Sequence, residues 1–117
     1  MEGTFLRFYL EERQKHHRVL LWKWLLAKAN SLGIRGGSAF RSIGGFGRHH
    51  TLREDKFFEL AGTTGVEVEF IVSEDEAKQL LALIHEEKIR IMYARIPAHF
   101  GVINPDLEDP ANVAADE

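Results

Sequence analysis

The sequence predicts an α+β domain with a ferredoxin-like β-α-β-β-α-β order, in which two helices cover one face of an antiparallel sheet. Four segments alternate apolar and polar residues with the two-residue period of a strand. Two other segments repeat apolar residues with the period of a helix, and they follow the first and the third strand. Because a chain of 117 residues rarely forms more than one core, we expect one domain over residues 1–100.

The first strand and the first helix are predicted from a change of period. Residues 4–10 alternate as a strand does, whereas a helical period starts at about Arg18 and ends at Gly33, a residue suited to the C-terminal cap. The residues expected in the core are Leu6, Phe8 and Leu10 from the strand, and Leu21, Leu25, Ala29 and Leu32 from the helix.

The middle of the chain contains two strands joined by a long connection. A strand is predicted over residues 38–43, and it ends in glycines that a strand interior does not tolerate. Residues 48–62 are too many for a tight turn, so they form either a mobile loop or a loop with an extended hairpin. The next strand alternates from Val66 to Val72 and is the clearest strand of the chain.

The second helix and the last strand complete the order. Ser73 and Glu76 have the spacing of a capping box, which predicts that a helix begins there. The last strand is predicted over residues 89–96 and is stopped by Pro97, since proline has no N–H for the ladder. The expected buried stripe of the helix is Ala77, Leu80, Leu81 and Ile84.

The charge distribution argues against a nucleic-acid partner. The net charge of −3 divides into residues 1–100, with 15 bases and 13 acids, and residues 101–117, with five acids and no base. No basic stripe is present in the sequence, so no nucleic-acid surface is predicted. The acidic segment 101–117 is expected to be a disordered tail.

The composition also bears on the compartment. The sequence has no cysteine, which excludes disulfides and thiolate metal sites and suits a reducing compartment. The longest apolar stretch, residues 19–26, is far shorter than a membrane span, and the N-terminus has no basic leader. We therefore expect a cytoplasmic protein that does not insert into membranes.

One face of the predicted sheet has no helix to cover it. That face would present Phe5, Tyr9 and Ile71 together with apolar residues of the last strand. A half-apolar sheet face of this kind is more often an interface between subunits than a solvent surface. The pattern predicts association without fixing the number of subunits.

The glycine-rich turn after the second strand is the first candidate for a ligand site. Glycines let backbone N–H groups approach a phosphate or carboxylate, and the guanidinium of an arginine binds the same anions. The alternative is that the glycines only form a turn. The candidate ligand-binding residues are Gly44, Gly45, Phe46, Gly47, Arg48, His49 and His50.

The histidines occur as two adjacent pairs, at residues 16–17 and 49–50. Neighbouring side chains diverge on any regular element, and neither pair has the i, i+4 spacing of a helical zinc site. Solvated or hydrogen-bonded histidines are therefore expected, and no metal site is predicted.

The long connection is the candidate contact with a partner protein. Residues 51–58 combine mixed charges with aromatic side chains, as segments that order on a partner do. The alternative is that Phe57 and Phe58 pack beneath the loop. No serine or cysteine nucleophile has a recognisable setting, so no enzyme is predicted. The candidate contact residues are Thr51, Arg53, Asp55 and Phe57.

These motifs, in this order, resemble the PII-like family known as domain of unknown function 190, and more distantly the PII nitrogen-signalling proteins. The resemblance covers about residues 3–97. The matching segments are Leu6-Arg7-Phe8-Tyr9, Lys15-His16-His17, Gly33-Ile34-Arg35-Gly36, Arg41 and Gly45-Phe46-Gly47-Arg48.

The resemblance implies a compact homotrimer whose sheets face a threefold axis, with ligand clefts between subunits. It also implies regulation of a membrane transporter, a channel or an enzyme, and members of this family are often associated with fluoride-channel proteins. PII proteins bind adenine nucleotides through the segment that corresponds to Gly45, Phe46, Gly47 and Arg48. Their second phosphate-binding loop is replaced here by residues 86–88, of sequence Glu-Glu-Lys. A smaller anion, a monophosphate nucleotide and no ligand all remain open.

Three hypotheses follow. The first is a trimeric PII-like sensor of an anion or nucleotide, and the second is a ligand-free structural or adaptor protein that docks through its loop. The third is a metal-dependent or hydrolytic enzyme that uses the histidine pairs. Cofactors other than an adenine nucleotide or a small anion are not implied.

Overall fold

The structure, a computed structural model, describes residues 1–46, 53–54 and 65–112. Within these residues the chain forms one four-stranded antiparallel sheet, two short ribbons and two long helices. The elements are β1 (Glu2–Glu11), β2 (Lys15–His16), β3 (Val19–Leu20), α1 (Leu21–Ser31), β4 (Gly37–Arg41), β5 (Gly44–Gly45), β6 (Arg53–Glu54), β7 (Gly65–Val72), α2 (Glu74–Glu86) and β8 (Met92–His99).

The main sheet has the strand order β4-β7-β1-β8. Every neighbouring pair is antiparallel, and β1 is paired along almost its whole length with β7 on one side and β8 on the other. The predicted α+β class with an antiparallel sheet is confirmed. The ribbon β2–β3 lies in a segment where the sequence predicts no strand, and β6 of the ribbon β5–β6 lies in the segment where the sequence left an extended hairpin open.

The core lies between one face of the sheet and the two helices. Leu6 and Phe8 of β1 are fully buried, as their alternation predicts, and Val68 and Leu80 are buried to the same extent. The fully apolar core is Leu6, Phe8, Leu10, Leu21, Trp24, Leu25, Ala29, Ile34, Val66, Val68, Phe70, Val72, Ala77, Leu80 and Ile84.

Helix α1 begins later than predicted, at Leu21 instead of about Arg18, because the preceding residues form the ribbon β2–β3. Leu32 is exposed and does not belong to the core. Trp24 belongs to the core, and Trp22 is partly buried and packs against the core.

Both long helices end in a Schellman motif, in which a residue with positive φ reverses the chain. Gly33 has this role in α1 with φ +84°, as predicted. In α2 the residue is Lys88, with φ 58°. The amides that close the motifs are those of Gly33 and Ile34 after α1, and of Lys88 and Ile89 after α2.

The start of α2 confirms the predicted capping box. The Ser73 hydroxyl accepts from the Glu76 N–H at 3.1 Å, and the Glu76 carboxylate accepts from the Ser73 N–H at 2.8 Å. Ala77, Leu80 and Ile84 are buried in the predicted stripe.

Two predicted strand boundaries are wrong. The second main strand is Gly37–Arg41 rather than 38–43, and the last is Met92–His99 rather than 89–96. The last strand continues through Pro97, which lies opposite Thr4. Because β8 is an edge strand, it tolerates a residue that cannot donate on its outer side.

The segment after β8 is exposed over residues 101–112. The five residues that follow lie outside the described part of the chain. Disorder of the tail 101–117 therefore stays a prediction.

The first residue of β4 must be glycine because a buried aromatic ring packs against its backbone. A Cβ atom on Gly37 would lie 2.3 Å from Cε1 of Phe70, and Phe70 is 2% exposed. At the neighbouring Gly36 a Cβ atom would meet nothing within 4 Å.

We expect Gly37→Ala to lower the free energy of unfolding by about 1–3 kcal/mol, because the new methyl group forces the Phe70 ring out of its place. Gly36→Ala is the matched control and should change stability by less than about 0.5 kcal/mol. Urea unfolding of both variants measures the difference. Equal stability of the two variants would contradict the packing described for Phe70.

The first residue of α2 joins the helix to two strands of the sheet. The Glu74 carboxylate accepts from the buried Thr4 hydroxyl of β1 and from Arg95 Nη2 of β8, the latter at 2.7 Å. The hydrogen bond from Thr4 and then that from Arg95 lower the pKa of Glu74 below its usual 4.5.

Because the pKa of Glu74 is lower in the folded than in the unfolded chain, its carboxylate stabilises the fold above pH 4.5. That contribution is lost as the pH falls through the lowered folded pKa. We expect Glu74→Gln to melt below the natural sequence at pH 7, with the gap narrowing as the pH falls below 4.5. Asp75→Asn, in the same helical turn, is the control. A gap that does not change with pH would refute the role of the carboxylate.

Candidate functional site

The sheet face that no helix covers combines apolar and charged side chains. The register places Phe5, Ile71 and Ile96 in one row across β7, β1 and β8, and both isoleucines are 48% exposed. A second row lies at the other end of the strands and contains Phe40, Glu67, Tyr9 and Met92. We call this surface the open face; its members are Phe5, Arg7, Tyr9, Ser38, Phe40, Glu67, Glu69, Ile71, Met92, Ala94 and Ile96. The sequence predicted Phe5, Tyr9 and Ile71 on it.

An ion-pair group occupies the centre of the open face. Arg7 Nε lies 2.9 Å from Glu69 Oε1 and 3.7 Å from Glu67 Oε2, and its guanidinium lies 5.2 Å from the centre of the Phe5 ring. The pKa of Arg7 is raised, chiefly by a hydrogen bond with Tyr9; burial lowers it, and the charges of Glu69 and Glu67 raise it. The arginine therefore stays charged and paired within an apolar surround.

A long extension leaves the sheet at the end of β4 and returns at the start of β7. The Ser42 N–H donates to the Gly65 carbonyl at 2.7 Å, so the two ends of segment 43–64 lie side by side. Directly beyond this bond, Gly44 pairs with Glu54 and Gly45 with Arg53. The extension thus has a hydrogen-bonded base. Most of residues 48–62, for which the sequence left a mobile loop or an extended hairpin open, lie outside the described part of the chain.

The structure places only part of the predicted ligand and partner residues. Gly44 and Gly45 lie in β5 at the base of the extension, and Phe46 follows with a largely exposed ring. The backbone of Arg53 lies in β6. The remaining residues lie outside the described part of the chain: Gly47, Arg48, His49, His50, Thr51, Asp55, Phe57 and Phe58. Their assignment to ligand or partner binding stays a prediction.

The expectation that adjacent histidines diverge is wrong for the first pair. The rings of His16 and His17 lie with their centres 4.1 Å apart, and both face the carboxylate of Glu87. The divergence rule assumes a regular element, whereas this pair lies at a turn where His17 and Arg18 have positive φ. Glu87 is 70 residues away in sequence, so spacing gave no sign of this cluster.

Comparison with known proteins supports the fold and decides the family. A crystal structure of a candidate PII-like signaling protein from Thermus thermophilus matches with a TM-score of 0.57 and 20% identity, over 84% of this chain and 88% of that one. The family model for DUF190, described as "Uncharacterized ACR", matches residues 3–93. The chain belongs to the DUF190 family. The UPF0166 protein of Aquifex aeolicus strain VF5 is 30% identical over 101 residues, which are 80% of this chain and 96% of that protein.

Neither of these two similar proteins is described as an enzyme. In the described part of this chain, no helix is long and apolar enough to cross a membrane. The resemblance that the sequence predicted over residues 3–97 is thus confirmed at the level of the family and of its PII-like fold.

The structure also explains the departure of this DUF190 chain from PII proteins before the last strand. The amides of Glu87, Lys88 and Ile89 donate to the last carbonyls of α2, at 3.0, 3.1 and 3.4 Å. Amides used in this way have no free N–H for a phosphate. Segment 86–89 caps the end of α2, and its bonded amides cannot also form a second phosphate-binding loop.

Proposed function

We propose that this chain is a homotrimeric PII-like regulator of the cytoplasm. It senses a small anion or a nucleotide at the base of its extension and modulates a partner, such as a membrane transporter, a channel or an enzyme. The observation that supports this most is the extension itself, segment 43–64, which leaves and rejoins two adjacent strands at the Ser42–Gly65 hydrogen bond.

The length of the extension favours a role in binding. Two antiparallel neighbours need a connection of about two to five residues, so most of segment 43–64 is not required to complete the sheet. Its base is fixed by β5–β6 pairing, which positions whatever the extension contacts relative to the rigid sheet. Long loops on rigid scaffolds are a common location of binding residues.

The open face favours association of identical chains. Its apolar rows flank the group in which Arg7 offsets one of the two negative charges of Glu67 and Glu69, so a partner surface would meet few unpaired charges. Phe40 lies on the open face one residue before the end of β4, where the extension begins. Association through this face would therefore bring the bases of several extensions to the rim of one interface.

A charge placed on the open face should dissociate the assembly. We expect Ile96→Asp to lower the mass in solution to that of one chain, because an unpaired carboxylate would be buried between subunits. Ile103→Asp is the control, since Ile103 is exposed in the segment that follows the sheet. Light scattering reports the mass of both variants. An unchanged mass for Ile96→Asp would place the interface elsewhere.

The ligand hypothesis is tested with a panel of adenine nucleotides and inorganic phosphate by calorimetry. If one of them binds, Arg48→Ala should weaken binding by about 1–3 kcal/mol, the cost of losing a charge-assisted hydrogen bond. Arg35→Ala, a substitution at an exposed arginine outside segment 43–64, is the control. Equal weakening by both variants would refute a specific site at the base of the extension.

Absence of binding for the whole panel would favour the second hypothesis, a ligand-free adaptor. An adaptor of that kind would still dock through the extension.

A further inference from the structure

The turn between β2 and β3 and the end of α2 bring three metal-binding side chains together. Nε2 of His16 lies 3.8 Å from Oε2 of Glu87, and Nε2 of His17 lies 3.9 Å from the same oxygen. All three donor atoms lie within 4.8 Å of one another. None of the three residues belongs to the open face or to segment 43–64.

The distances do not correspond to hydrogen bonds. Donor and acceptor atoms that share a hydrogen are about 2.7–3.2 Å apart, and both nitrogen–oxygen distances exceed this range. In a tetrahedral shell with metal–ligand bonds of about 2.0–2.1 Å, neighbouring ligand atoms are about 3.3 Å apart. A contraction of about half an ångström would bring each histidine nitrogen of the cluster to that separation from the carboxylate.

One nitrogen of the cluster has no hydrogen-bond partner among the described residues. Nε2 of His16 is buried and makes no hydrogen bond among the described residues. The whole His16 side chain is only 15% exposed. The His16 ring contacts the rings of His17 and Trp24. The centres of the His16 and Trp24 rings lie 4.9 Å apart in an edge-to-face contact. A buried polar atom without a partner is costly, and a metal ion at this place would satisfy its lone pair.

The backbone around the two histidines is fixed in an unusual conformation. His17 and Arg18 form the two central positions of the β2–β3 turn, with φ 51° and 68°. Both angles are positive, as in a type I′ turn, which usually contains Asn or Gly. This conformation turns the side chain of His17 back toward that of His16, which an extended strand would not do.

Glu87, the third side chain of the cluster, lies at the C-terminal end of a helix. Glu87 is the C-cap of α2, a helix of 13 residues, and its amide donates to the Leu83 carbonyl at 3.0 Å. The C-terminal end of a helix has a partial negative charge, which stabilises a nearby positive ion. The carboxylate and the helix end therefore both stabilise a positive ion at this place.

We propose that His16, His17 and Glu87 bind one divalent transition metal ion of the zinc class. Two imidazole nitrogens and one carboxylate oxygen, without a thiolate, are ligands that Zn²⁺ accepts readily. Three protein ligands leave a fourth tetrahedral position for water or an anion. The ion joins the β2–β3 turn to the end of α2, two elements separated by about 70 residues of chain.

Calorimetry of the untagged full chain, freed of metal by a chelator and titrated with Zn²⁺, tests the proposal. We expect one ion per chain and a higher melting temperature with zinc, since an ion that binds only the folded state stabilises it. Glu87→Gln and His17→Asn should each weaken binding by about tenfold or more. Asn is chosen at position 17 because it tolerates positive φ.

Two controls separate this cluster from other histidines. His99→Gln alters an exposed histidine whose Nδ1 lies 2.7 Å from Glu2 Oε1, a pair with only two ligands. A chain with both His49→Gln and His50→Gln removes the second adjacent pair. Both controls should bind Zn²⁺ like the natural sequence. Unfolding curves without metal show whether each variant is folded.

A second readout is independent of affinity. Co²⁺ in a four-coordinate site absorbs visible light, and we expect this absorption in the natural sequence and its loss in Glu87→Gln. Absence of saturable zinc binding up to millimolar concentration would overturn the proposal. Natural affinity in Glu87→Gln or His17→Asn, or an equal loss of affinity in either control, would overturn it as well.

Discussion

Strand β1 lies at the centre of the sheet, and the alternation of its side chains constrains most of the molecule. Leu6 and Phe8 point to the core, so Phe5 and Arg7 must point to the other face, because the period of a strand is two. Pairing with β7 and β8 on both sides extends this division across the sheet. A one-residue slip of β1 would expose the core and bury Arg7, and the register is therefore strongly determined.

The other features follow from that division. The helices cover the face with Leu6 and Phe8, and the open face has no helix of the described residues on it. Glu74 connects the first turn of α2 to β1 and β8, whereas Glu87 lies at the opposite end of the same helix. On the far side of β7, β4 is an edge strand, and segment 43–64 connects its end to β7. The proposed ligand residues and the proposed metal ligands thus come from different segments of the chain.

The sequence predicted those features that depend on local periodicity and local capping. The alternation of β1 and β7 and the capping box at Ser73 are of this kind, and so is the glycine cap at Gly33. Features that depend on tertiary context were missed. Pro97 lies within a strand because that strand is at the edge, and Glu87 joins the histidines because of a turn with positive φ at His17. The need for glycine at position 37 depends on the ring of Phe70, which only the sheet register brings there.

We propose that the open face is covered by other copies of the same chain in a threefold assembly. Sedimentation of the unmodified, untagged chain over a range of micromolar concentrations is the most direct test. We expect a single species with three times the mass of one chain, which is 13.4 kDa. A species of 13.4 kDa throughout that range would contradict it, since the open face would then be a solvent surface.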